Sequence, residues 1–156
     1  SLMPTNLYGS FDNFDLQSSH VLPAMLRKFH EAKINKHSDV TLWGSGTPMR
    51  EFLFVNDMAE AVVYALENNL PEYLYNIGTG NDITIKELAE TIQKITGHQG
   101  EIIWDSSKPD GTSRKLMDVS KMKAIGWQYS TELEDGIKKT YQWYVENIDS
   151  IKEIKL

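Results

Sequence analysis

The sequence predicts a mixed α/β domain, and three observations predict it. Stretches with apolar residues at three- and four-residue spacing alternate irregularly with short strand-like runs. Clusters of Gly, Pro, Asn, Asp and Ser punctuate those runs. One capping-box pattern, Thr84-Ile85-Lys86-Glu87, marks a helix start by itself. Such alternation is what helices layered on short sheets produce.

In chain order, Pro4-Thr5-Asn6-Leu7-Tyr8-Gly9 reads as a strand end running into a loop, followed by a polar stretch, Ser10 to Ser19. A helix is expected from Ser18 or Ser19, with serine as N-cap, Pro23 tolerated in the first turn, Leu22, Met25, Leu26 and Phe29 on one face, and an end near Asn35. Asp39 to Trp43 alternates as a strand does. Gly44-Ser45-Gly46-Thr47-Pro48 then turns the chain into a second strand, Arg50 to Val55, in a hairpin-like arrangement. Asn56 and Asp57 are candidate caps for a helix to about Asn68, with Met58, Ala61, Val62, Ala65 and Leu66 as its apolar stripe.

Leu74 to Ile77 is a short strand and Gly78 to Asp82 a turn. The capping box then opens a helix carrying Leu88, Ile92 and Ile95, stopped by Gly97. Glu101 to Asp105 is strand-like, and Ser106 to Arg114 is a polar loop. Met117 to Ile125 contains a short helix closed by Gly126. Thr131-Glu132-Leu133-Glu134 is a second capping box, for a final helix to about Asn147.

With 40% hydrophobic and 24% charged residues, the 156-residue chain can bury a core, which excludes a disordered polymer. No run is long and apolar enough to cross a bilayer, and the first residues lack the pattern of a signal peptide, so no membrane partner is expected. A net charge of −6 argues against a broad nucleic-acid footprint, so no nucleic-acid partner is expected either. Zero cysteines exclude disulfides and thiolate chemistry from these residues and agree with a cytoplasmic setting.

Gly78-Thr79-Gly80 follows a strand and precedes a helix, as a dinucleotide fingerprint does, but Ile83 stands where the third glycine belongs, so a plain turn is expected. Histidines at metal-ligand spacing and a nucleophile-elbow serine are both lacking, which leaves metal binding and hydrolysis without support. Polar loop residues beside aromatics remain, the make-up of a small-molecule cleft.

Four ordered segments go further: Pro4 to Gly9; Ser19-His20-Val21-Leu22-Pro23-Ala24; Trp43 to Phe52, which contains Arg50-Glu51-Phe52; and Ser107-Lys108-Pro109-Asp110-Gly111-Thr112-Ser113-Arg114-Lys115. Together they resemble the GDP-L-fucose synthase family of extended short-chain dehydrogenases/reductases. Ser10-Phe11 departs from the pattern, where family members commonly carry Pro-His.

The resemblance implies that residues 1–156 are a C-terminal, substrate-binding α/β domain, with 1–19 a cofactor-facing loop segment. It also implies that the N-terminal Rossmann half, with its glycine motif, Tyr-x-x-x-Lys pair and cysteine base, lies outside this sequence. It implies epimerisation of GDP-4-keto-6-deoxy-mannose at carbons 3 and 5, then reduction with NADPH, so the cofactor is NADP and the partners are a GDP-sugar and the missing half. The parent is expected to be a homodimer and the isolated part inactive, unable to form that dimer and exposing apolar surface.

Residue by residue, His20 matches the general acid. Imidazole, with an unperturbed pKa of roughly 6.5, donates and recovers a proton near neutrality. Pro4, Thr5, Asn6, Leu7 and His20 match the nicotinamide end of the cofactor site. Lys28, Trp43, Arg50, Asp110 and Lys115 match substrate contacts, and with Arg114 the cations are expected to gather around one diphosphate while the acids lie elsewhere. Trp104, Trp127 and Trp143 are assigned to packing. Half of another nucleotide-sugar epimerase or dehydratase, and a stand-alone nucleotide-sugar-binding module, are the alternatives.

Overall fold

Parallel pairing between segments far apart in sequence organises the chain, whose computed structural model describes residues 1–151. The elements in order are β1 (Leu2–Pro4), β2 (Asn6–Tyr8), α1 (Val21–Ile34), β3 (Asp39–Trp43), β4 (Met49–Arg50), β5 (Phe52–Phe54), α2 (Val55–Glu67), β6 (Tyr75–Ile77), β7 (Ile83–Thr84), α3 (Ile85–Thr96), β8 (Glu101–Asp105), β9 (Arg114–Lys115), α4 (Ser120–Ala124) and α5 (Leu133–Asn147). β1 pairs with β6, β2 with β5 and β3 with β8, all parallel, while β4 lies between antiparallel β7 and parallel β9. The mixed α/β class is therefore observed.

The expected hairpin after Trp43 does not form. β3 finds its partner in β8, Gly44 N–H continues that ladder to Asp105 O at 2.9 Å, and the chain then runs past the start of α3, where Ile85 N–H donates to Pro48 O at 2.9 Å. Two glycines make this crossing. Gly44 and Gly46 have φ of 81° and 76°, and a Cβ at Gly46 would stand 2.8 Å from the Trp104 ring.

Three helix starts shift from their expected positions, each for a tertiary or local reason. His20, not a serine, occupies the N-cap of α1 and makes no side-chain cap bond; Pro23 at the third helical position has no N–H for a cap to serve. Phe54 is the N-cap of α2, and Asp57 sits inside the first turn, where its carboxylate accepts from Ser130 N (3.0 Å), Ser130 Oγ (2.8 Å) and Thr131 N (3.3 Å). That grip holds Thr131 outside α5, which begins after Glu132 with no capping box. The capping box of α3 forms as expected, and Gly97 closes the helix at φ 77°.

One core packs Tyr8, Phe14, Leu22, Leu26, Phe29, Leu42, Leu88, Ile92, Ile137 and Tyr144 between α1, α3, α5 and β3. A second joins Leu53, Ala61, Tyr75, Ile77, Met122 and Trp127. Trp127 is buried, and Trp104 and Trp143 pack against the first core. The stripe of α2 is a correction: among its residues only Asp57 and Ala61 are buried, and Leu66 is 82% exposed.

Candidate functional site

Trp43 ends β3 with its indole in solvent. It is 68% exposed, with Lys108 Nζ 5.5 Å and Lys28 Nζ 5.8 Å from a ring centroid. α1 carries Lys28, whose ammonium donates to Thr41 O at 3.1 Å and whose pKa is lowered by burial of its stem. An exposed aromatic face between two cations suits a flat heteroaromatic joined to an anion. Lys108 had no assigned role in the sequence; its position in a Ser-Lys-Pro-Asp-Gly loop carried no local signal of its partner.

Beside this face, the polar loop is tied down. Asp110 accepts from Ser45 N at 2.9 Å and Ser45 Oγ at 2.6 Å, which lowers its pKa, the hydroxyl contributing most. The carboxylate expected to meet a ligand is thus engaged first within the chain, although an ionised carboxylate offers about four acceptor positions and Ser45 uses two.

Arg50 connects this loop to a cleft of about 260 Å³ lined by Arg50, Phe52, Thr79, Asn81, Tyr129 and Glu132, among others. Its Nη1 donates to Met49 O at 2.7 Å, and its Nη2 would stand 3.1 Å from a Cβ at Gly111. Across the β4–β9 pairing, Arg50 stands opposite Lys115, which lines a second cleft of about 420 Å³ with Pro4, Thr5, Asn6, Leu116 and Met117. Thr5 Oγ1 and Asn6 Nδ2 donate to Glu51 O at 3.3 and 2.7 Å, fixing that wall.

The expected gathering of cations is only partly realised. Arg114 is bound by both oxygens of Asp82, at 2.6 and 3.1 Å, so it is neutralised, and Glu132 lines the Arg50 cleft; the acids do not all lie elsewhere. The same contact raises Arg114 and holds Asp82 below the usual carboxylate range. Leu7 separates from Pro4, Thr5 and Asn6, lining a third cleft of about 170 Å³ with Tyr8 to Asp12 and Val55.

His20 is exposed at the head of α1. Asp12 lies within its electrostatic reach: burial raises the Asp12 pKa, while the Asn13 N–H and His20 pull it down. Phe11, in the segment that departs from the resemblance, has φ 65° and lays its 86% exposed ring 4.9 Å from that of Trp143. His30 is buried and shares a hydrogen bond with Tyr141 Oη at 3.0 Å; burial lowers its pKa. Among the described residues no cluster of three His, Cys, Asp or Glu side chains could hold a metal, and no helix is long and apolar enough to cross a membrane.

The family model for the NAD dependent epimerase/dehydratase family matches residues 1–78, half of the chain. The chain belongs to the NAD dependent epimerase/dehydratase family. Within this family it is 52% identical over 161 residues to GDP-L-fucose synthase of Escherichia coli (strain K12), covering 97% of this chain and 50% of that protein. It is 51% identical over 146 residues to GDP-L-fucose synthase 1 of Arabidopsis thaliana, covering 94% of this chain and 45% of that one. Its fold matches the crystal structure of a GDP-L-fucose synthetase from Naegleria fowleri with a TM-score of 0.91 at 33% identity, over 97% of this chain and 47% of that chain. The chain thus spans about half the length of the relatives it matches.

Proposed function

We propose that this chain is the GDP-sugar-binding part of a GDP-L-fucose synthase that epimerises GDP-4-keto-6-deoxy-mannose at carbons 3 and 5 and reduces it with NADPH. The observation that carries the reading is the exposed Trp43 indole flanked by Lys28 and Lys108, beside Asp110 and Arg50. The indole offers a stacking face for a base, the lysines meet phosphate charge, and the Arg50 guanidinium binds two oxygens at once. The similarity to proteins named GDP-L-fucose synthase selects the GDP-sugar among nucleotide sugars.

In this reading Asp110 uses its remaining acceptor positions on the ligand and Lys115 reaches it from the second cleft. His20 is the general acid: each epimerisation removes a proton beside a carbonyl and returns one to the opposite face. The residues fit only a fringe of NADP. Pro4, Thr5 and Asn6 present small, fixed groups on an open cleft that can take the edge of a nicotinamide ring, while Leu7 lines a separate cleft. When bound, NADPH supplies the hydride; a further half of the protein holds the rest of it. Alone, the chain is proposed to be inactive.

Titrating GDP into the chain and following amide shifts by NMR tests the reading. A cleft lacking one wall should bind at about millimolar Kd, and Trp43→Ala should weaken binding about tenfold. Shifts that saturate but avoid residues 28, 43–50 and 108–115, or an unchanged Kd in Trp43→Ala, would overturn it. Micromolar binding would favour a stand-alone nucleotide-sugar module.

A further inference from the structure

We infer that Glu51 is the positioning residue of this site, holding the walls of the Arg50 and Lys115 clefts in register. Glu51 is completely buried, and among the described residues it forms no ion pair. A carboxylate in such a place survives only by hydrogen bonds. Its Oε1 accepts from Thr79 N at 2.6 Å, Gly80 N at 2.7 Å and Thr79 Oγ1 at 3.3 Å, and its Oε2 accepts from Met117 N at 3.0 Å.

Gly78-Thr79-Gly80 is therefore an anion-binding nest of successive N–H groups, filled by the chain's own carboxylate rather than by a phosphate. Gly78 permits the approach, because a Cβ there would lie 2.9 Å from the Glu51 carboxyl carbon.

Every segment Glu51 holds is a cleft wall. Thr79 lines the Arg50 cleft; Met117 lines the Lys115 cleft, and Thr5 and Asn6, which line it too, donate to the Glu51 carbonyl. Glu51 joins β4 to β5 directly after Arg50, so the residue that reaches inward to the 78–80 turn is bonded to the one that lines the first cleft. A hydrophobic residue would fill the space without the cost of burying charge, but it would leave the 78–80 turn and residue 117 free to move against Arg50 and Lys115.

This inference rests on the nucleotide-sugar reading above, and the test separates the two. Glu51→Gln keeps the shape but has one carbonyl oxygen, so its amide NH₂ must face either the Thr79 and Gly80 donors or the Met117 donor. In Glu51→Gln, hydrogen exchange at Thr79, Gly80 or Met117 should accelerate by at least tenfold. The GDP Kd, measured by NMR well below the variant's melting temperature, should rise about tenfold. Ile92→Val, a core change that lines neither cleft, should lower the melting temperature and leave the Kd unchanged.

Glu51→Asp keeps the charge but is one methylene shorter, so it should weaken GDP less than Gln does; it also serves if the Gln variant fails to fold. Unchanged exchange in both Glu51 variants, or faster exchange with an unchanged Kd, overturns the positioning role while leaving the site reading intact. Absence of GDP binding by the unaltered chain overturns the reading, and the inference with it.

Discussion

Asp12 shows how one residue can carry a cost that its neighbours only partly offset. Its Oδ1 accepts from Asn13 N–H at 2.7 Å, but its Oδ2 is buried with no hydrogen-bond partner, and burial is the largest influence raising its pKa. An acid whose folded pKa lies above its unfolded value binds its proton more tightly when folded. Its contribution to stability is therefore full at low pH and is lost as pH rises through the window between those two values. Asp12→Asn removes the charge and should stabilise the chain at pH 7 by about 1 kcal/mol, the low end for an unsatisfied group because the residue is only half-buried. Urea unfolding at pH 7 and again below the ordinary carboxylate pKa checks this: the advantage should be present in the first and shrink in the second. A variant less stable at pH 7 would mean that the Asn13 N–H and His20 together hold the charge more strongly than burial penalises it.

Among the elements, α3 has a start whose cap is written in its own sequence. Glu87 N–H donates to Thr84 Oγ1 at 3.1 Å and Thr84 N–H to Glu87 Oε2 at 2.8 Å, a reciprocal box that needs no tertiary partner. Thr84→Ala should cost about 1 kcal/mol in urea unfolding at pH 7. Thr84 also holds the Glu87 carboxyl below its ordinary range, through its N–H first and its hydroxyl second. A depressed acid stabilises above its unfolded pKa and loses that contribution as pH falls through its folded pKa, so the deficit of Thr84→Ala should narrow in acid. An equal deficit at both pH values would show that the Thr84 hydroxyl does not bear on the Glu87 carboxylate.

Legibility in the sequence followed this distinction. α3, β3, β6 and β8 carry local periodicity and turn signals, and their limits were readable. The partner of β3 was not, because parallel pairing with β8 is fixed by packing of α1 and α3 rather than by any turn between them. The head of α5 was misplaced by Asp57, a residue on another helix. At the proposed site, Trp43, Lys28 and Arg50 were named through the resemblance. Lys108 and the grip of Glu51 were not, since both depend on loops that meet only in the fold.

At the scale of the molecule, the surface of α2 is what the cores leave uncovered. Val62, Val63 and Leu66 are 40%, 52% and 82% exposed, and their spacing of three and four places them on one stripe of the helix. Met3, Leu74 and Tyr73, at 51%, 46% and 94%, are exposed on or next to the paired strands β1 and β6, and among the described residues β1 pairs with no other strand. Exposed apolar side chains on a helix stripe, together with an unpaired strand edge, drive association of a chain left by itself. The 156-residue chain should therefore self-associate as its concentration rises, and light scattering should report a mass above the 17.8 kDa of one copy. Val63→Asp with Leu66→Asp should restore the single-copy mass with an unchanged circular dichroism spectrum, because neither side chain belongs to a core. A single-copy mass for the unaltered chain at high concentration would show that this stripe is tolerated in water. Association that persists in the double variant would move the contact to the β1 edge, where Met3→Lys on the open strand should then abolish it.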